Sequence, residues 1–183
     1  MRNFMLNLGL WFSIFTASFV PSIFAKASIP VEQAATEKKD HYLKEGVFVG
    51  GFDQGAMILA NVRHSYTPEN HMERLVLDLA PENSPGHLQR PGFFHVAIQG
   101  KGRAVGDRLV IDLANCKEAK VTAQQVSKVL SQSHFFASAI FTFDEESSNL
   151  TIEVPIKTPA EFEIFELASD KKPGRIVIDV KNL

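Results

Sequence analysis

One hexapeptide, Arg followed by three aliphatic residues, Asp and a further aliphatic, occurs three times in this 183-residue chain. The copies are Arg74-Leu75-Val76-Leu77-Asp78-Leu79, Arg108-Leu109-Val110-Ile111-Asp112-Leu113 and Arg175-Ile176-Val177-Ile178-Asp179-Val180. On an extended strand alternate side chains share a face, so Arg74, Val76 and Asp78 point one way and Leu75, Leu77 and Leu79 the other. The apolar face of three such strands must be covered by a second layer. Arg and Asp four apart on one strand are too distant to bond each other, so each must meet a charge or dipole on a neighbouring strand. The charged face has two possible uses, cross-strand pairing or ligand binding, and both remain open at this level.

The surrounding residues repeat as well. From Gly46 onward, short apolar runs alternate with Gly, Pro, Asn and Ser, the pattern of an all-β domain. Nine strands are predicted: 47–52, 56–64, 74–79, 93–99, 108–113, 137–143, 150–156, 162–167 and 175–180. The four strands from Ala56 to Leu113 recur in order as the four from Ala137 to Val180, although Leu150-Thr151-Ile152-Glu153-Val154 lacks the Arg and Asp of its counterpart. Two four-strand units imply a pseudo-symmetric, two-sheet β-sandwich. Between them Thr122 and Gln125 form a capping box, flanked by Val121 and Val126 as a hydrophobic staple. With Ala123, Val126, Val129 and Leu130 at helical spacing, a short helix of about three turns near residues 122–132 is expected to cover part of a sheet.

The N-terminus bears on the compartment. Arg2 precedes an apolar stretch from Phe4 to Val20, and Ala25-Lys26-Ala27 reads as an A-x-A cleavage site, so residues 1–27 are predicted to be a signal peptide. The alternative is an uncleaved anchor; Pro21 and the polar residues Asn7, Ser13, Thr16 and Ser18 favour cleavage and a periplasmic address with no membrane insertion afterwards. Residues 28–45 are mostly polar or small and are expected to be a flexible N-terminal arm, which leaves 46–183 as the domain. The formal charge is −2, and losing Arg2 and Lys26 makes the remainder more acidic by two. Such a balance gives no reason to expect nucleic acid as a partner. Cys116 is the only cysteine, so no internal disulfide can form. It is expected to be a buried thiol just past a strand, with pairing between molecules as the alternative.

Phe162-Glu163-Ile164-Phe165-Glu166-Leu167, leading through Pro173-Gly174-Arg175 to Ile176-Val177-Ile178-Asp179-Val180, resembles the closing strands of the AMIN domain. So do Arg74 to Leu79, Pro91-Gly92-Phe93-Phe94 and Asp107 to Leu113, with a longer loop between Ala80 and Pro91. AMIN domains are envelope-targeting modules of periplasmic N-acetylmuramoyl-L-alanine amidases and type IV pilus secretins. The resemblance covers roughly Ala56 to Val180 and implies a two-sheet sandwich, a periplasmic location and binding to peptidoglycan. The long loop and the helix after Lys120 depart from the family pattern.

No nucleophile elbow, P-loop or dinucleotide fingerprint is present, and the six histidines show no metal-ligand spacing, so neither a catalytic centre, a metal nor a cofactor is expected. The predicted ligand-binding residues are Arg74, Asp78, Arg108, Asp112, Arg175 and Asp179, together with Phe94. Phe93 and Phe94 face opposite ways on a strand, one inward and one outward, and Phe94 is assigned the outward place. The expected function is a non-catalytic periplasmic module that binds peptidoglycan or localises to the cell wall. The alternative is a structural accessory docking by a sheet edge to an envelope assembly such as a type IV pilus or secretin.

Overall fold

The computed structural model describes residues 29–53, 55–82, 89–99, 107–170 and 172–183. The leader expected over residues 1–27 and the hairpin tip at 100–103 lie outside them. In chain order the strands are β1 (Val31–Gln33), β2 (Gly46–Gly50), β3 (Met57–Thr67), β4 (Met72–Pro81), β5 (Phe94–Gln99), β6 (Arg108–Leu113), β7 (Cys116–Ala119), β8 (Ile140–Asp144), β9 (Asn149–Pro155), β10 (Ala160–Leu167) and β11 (Gly174–Asn182), with helix α1 (Ala123–Val129) between β7 and β8. All nine predicted strands are present, and the chain folds as a mainly β, two-sheet sandwich. Sheet A has the order β1-β2-β5-β6-β9-β8 and sheet B the order β10-β11-β4-β3-β7.

The internal repeat is visible in the topology. Read from one edge, sheet A contains β8-β9-β6-β5 and sheet B contains β3-β4-β11-β10. Exchanging each strand of one half for its counterpart in the other converts one order into the other. Each half therefore gives one hairpin to each sheet, and the two halves meet at β6·β9 and at β4·β11. Strand register also explains the imperfect copy: Thr151 and Pro155 on β9 occupy the places, opposite Asp112 and Arg108, that Arg74 and Asp78 on β4 occupy opposite Asp179 and Arg175.

Alternation places the aliphatic residues of the hexapeptides between the sheets. Leu75, Leu77 and Leu79, Leu109, Ile111 and Leu113, and Ile176, Ile178 and Val180 all belong to one buried cluster. Burying a side chain of this size contributes roughly 1.5–3 kcal/mol. Phe135 and Phe136 seal one end together with Val126 and Leu130. Thr122 caps α1 reciprocally with Gln125 as predicted, but the α-helix stops at Val129 and continues as a single 3-10 turn, Leu130–Gln132. Its apolar stripe is narrower than the sequence pattern suggested, since Val129 is 41 % exposed. Cys116 is buried, on β7 rather than just past a strand.

The sequence expectation fails over residues 29–45. Instead of an arm leaving the domain, they carry β1, which pairs parallel with β2, and Ala34, which is buried in the core. Ala35 and Leu43 then bond the outer edge of β10, through Glu166 N to Ala35 O and a reciprocal pair between Leu43 and Phe162. Glu163 accepts hydrogen bonds from the Lys39 and His41 backbone amides at 2.6 and 3.3 Å. A polar composition conceals this docking because most of the contacts are made by backbone, which any residue supplies.

Candidate functional site

Two hexapeptide strands lie side by side in sheet B and run antiparallel, so the Arg of each stands opposite the Asp of the other: Arg74 opposite Asp179, and Arg175 opposite Asp78. The symmetry of sequence is not kept in bonding. Arg74 binds Asp179 in a two-pronged pair, Nε to Oδ1 at 2.6 Å and Nη2 to Oδ2 at 2.7 Å. Asp78 is instead taken by Arg63 of β3, with Nε to Oδ2 at 2.8 Å and Nη2 to Oδ1 at 2.7 Å. These bonds hold the Arg74 and Arg63 guanidinium groups charged even more firmly than usual. Arg175 has no hydrogen-bond or ion-pair partner among the described residues, and its Nε is buried.

The result is a shallow, cationic surface over an apolar floor. Val76, Phe165 and Val177 form a separate small cluster on the outer face of sheet B, with Ala35 and Leu167 beside it, and the Arg74 guanidinium lies over the Phe165 ring at 5.7 Å. A groove of about 300 Å³ runs across this floor between Arg63, Ser65, Arg74 and Arg175. A second, of about 270 Å³, adjoins it between Asn61, Asp78, Lys172 and Arg175. Arg175 borders both. Gly174 is required where it stands, because a Cβ there would lie 2.2 Å from the Arg90 carbonyl carbon. That close approach starts β11 in the position that presents Arg175.

The other predicted site residues lie elsewhere. Arg108 and Asp112 are on β6 in sheet A, whose outer face is turned away from that of sheet B, so the three hexapeptides do not form one platform. Arg108 pairs with Glu153 at 2.5 Å and Gln99 at 3.0 Å, and Asp112 with His95 at 3.0 Å and with the Thr151 hydroxyl. These are the cross-strand pairs that the bland use of such residues predicts. Phe94 was placed on the wrong face: it is 5 % exposed and packs in the core, while Phe93 is 55 % exposed. Strand β5 begins at Phe94, whose side chain shares the inward parity of Val96 and Ile98. Arg63 and Lys172 were missed. Arg63 could have been found from β3 alone, since Val62 is an inward residue and its neighbours must point outward.

A second convergence of polar groups is buried at the end of β4 and was also missed. The Glu73 carboxylate is fully buried and accepts from the Ser133 hydroxyl, the His134 amide at 2.6 Å, His134 Nδ1 at 2.9 Å and His64 Nε2 at 2.8 Å. Burial pushes this carboxyl up, but the four hydrogen bonds outweigh it and hold Glu73 below the ordinary value of 4.5. The Ser133 oxygen additionally accepts the Phe135 and Phe136 amides at 3.1 and 2.8 Å. With its proton committed to Glu73 and its lone pairs to these amides, Ser133 is built as a fastening and not as a nucleophile. The cluster ties the segment after α1 to β4 across 60 residues of chain. No family model and no curated protein matches the chain.

Proposed function

We propose that this protein is a non-catalytic module of the bacterial envelope, exported by its N-terminal leader, which binds cell-wall peptidoglycan on the outer face of sheet B. The observation that carries this reading is Arg175. Three arginines line one groove, and Asp78 and Asp179 are bonded to the other two, Arg63 and Arg74, which leaves Arg175 without a bonded carboxylate among the described residues. The Arg175 side chain borders both grooves and is unpaired among the described residues, so the terminal nitrogens of its guanidinium are free to donate to an acceptor that enters there. A carboxylate fits that need, because it accepts two parallel bonds from a guanidinium fork. Peptidoglycan stem peptides carry such carboxylates, and the apolar floor at Val76 and Val177 offers a surface for the less polar parts of the polymer.

Co-sedimentation with purified sacculi tests the reading. Wild type is expected in the pellet at low and moderate salt, with Arg175→Ala largely in the supernatant and no lower in melting temperature. Wild type remaining in the supernatant overturns it. Arg108→Ala serves as the matched control, because that arginine lies on the opposite outer face with its own partners.

A further inference from the structure

Lys172 stands in the turn between β10 and β11, just before Arg175 enters the sheet. The turn is held in place. Ser169 exchanges two backbone hydrogen bonds with Gln89, at 2.7 and 2.9 Å, and its hydroxyl accepts the Lys172 amide at 3.2 Å. The Lys172 side chain is exposed and lines the second groove, and its ammonium has no bonded partner among the described residues.

The polar groups left over in that groove are donors. Asp78 is the one carboxylate among its described lining residues, and both of its oxygens are taken by Arg63, at 2.8 and 2.7 Å. Asn61 commits its carbonyl to the Val62 amide at 2.9 Å, which leaves its NH2 to donate. The first groove has no carboxylate among its described lining residues. Arg63 and Arg74 are matched by Asp78 and Asp179, so two cations remain: Arg175, which borders both grooves, and Lys172, which borders the second. They differ in kind. A guanidinium fork fixes the orientation of the carboxylate it grips, whereas an ammonium on a flexible stem accepts an anion from many directions.

We infer that the two adjoining grooves form a single site for a peptide that carries two carboxylates, one gripped by Arg175 and the other reached by Lys172. A ligand with one carboxylate matches Arg175 and leaves Lys172 without a counter-charge; a second carboxylate matches both. The source of the ligand rests on the wall-binding reading above. Forming a peptide cross-link turns a stem-peptide carboxyl into an amide, so a wall binder with this site prefers stems that are not cross-linked.

Fluorescence anisotropy at fixed ionic strength tests the inference with three labelled, N-terminally capped tetrapeptides. The first carries two carboxylates, the α-carboxylate of a γ-linked glutamate and its own C-terminal one; the others are its two monoamides. Wild type is expected to bind the dicarboxylate severalfold more tightly than either monoamide. Arg175→Ala and Lys172→Gln should each weaken the dicarboxylate, and each monoamide should be insensitive to one of the two substitutions, a different one in each case. Lys172→Gln should keep the wild-type melting temperature, because it removes an exposed side chain that bonds nothing among the described residues. Equal affinity of wild type for the three peptides overturns the inference. So does an absence of binding to the dicarboxylate, or a Lys172→Gln variant that weakens both monoamides alike. Sacculi separate this outcome from failure of the wall reading. A protein that shows the crossed pattern but stays in the supernatant keeps the dicarboxylate site and loses the wall as its source, whereas one that pellets with sacculi and treats the three peptides alike keeps the wall and loses the dicarboxylate site.

Discussion

Arg175 and Asp78 stand directly opposite each other on adjacent strands, and their side chains do not bond. Asp78 turns to Arg63 on its other side, and the guanidinium of Arg175 is left facing the groove. One competitor on β3 thus breaks an arrangement that the hexapeptide repeat would otherwise make symmetric.

The two hexapeptide arginines of sheet B should therefore respond oppositely to removal. Arg74→Ala leaves Asp179, which is fully buried, without its two-pronged partner, and should cost roughly 1–3 kcal/mol. Arg175→Ala removes no side-chain bond made among the described residues and relieves an unpaired buried Nε, so its stability should match or exceed that of wild type. Thermal melts of the two variants side by side check this; equal losses would show that Arg175 has a structural partner after all.

In sheet A the contrast lies between the faces of one strand. Leu109 is fully buried, and Leu109→Ala should cost about 2–5 kcal/mol. Arg108 is part-exposed and pairs with Glu153, so Arg108→Ala should cost about 0–1 kcal/mol. Urea titrations read both. At the start of β5 the same logic separates neighbours: Phe94→Ala should destabilise by about 3–5 kcal/mol while Phe93→Ala changes little.

Glu73 gives the fold an acid limit. Because its carboxyl is held below 4.5 in the folded protein, the stabilisation is fully present above that value and is lost as pH falls through the lower, folded-state value. Unfolding free energy should decline as pH is lowered below about 4.5, and Glu73→Gln should flatten that part of the profile. An unaltered slope in the variant would assign the acid sensitivity to other carboxylates.

Cys116 should be unreactive until the domain opens. Burial raises its thiol above the ordinary value of 9.0, which keeps it protonated at neutral pH and withdrawn from reagents. Alkylation should be slow for the native protein and fast in denaturant. Rapid native labelling would mean that the β7 side opens readily.

Sequence alone determined the layers, because alternation with period two is a property of each strand. It placed Leu75, Leu109 and Ile176 inside and Arg74, Arg108 and Arg175 outside without knowledge of any neighbour, and the capping box at Thr122 located the helix for the same local reason. Parity is lost only where the start of a strand is ambiguous, as at Phe93 and Phe94. What tertiary structure decided is everything that depends on which strand lies beside which: that two hexapeptides meet in sheet B while the third lies on the opposite outer face, that Arg63 reaches Asp78 before Arg175 can, that residues 29–45 bind two sheets through their backbone, and that Glu73 gathers partners 60 residues away. Pairing across sheets joins residues distant in the chain, and no local period encodes the choice among partners of equal chemistry. The unpaired Arg175 is the product of that choice.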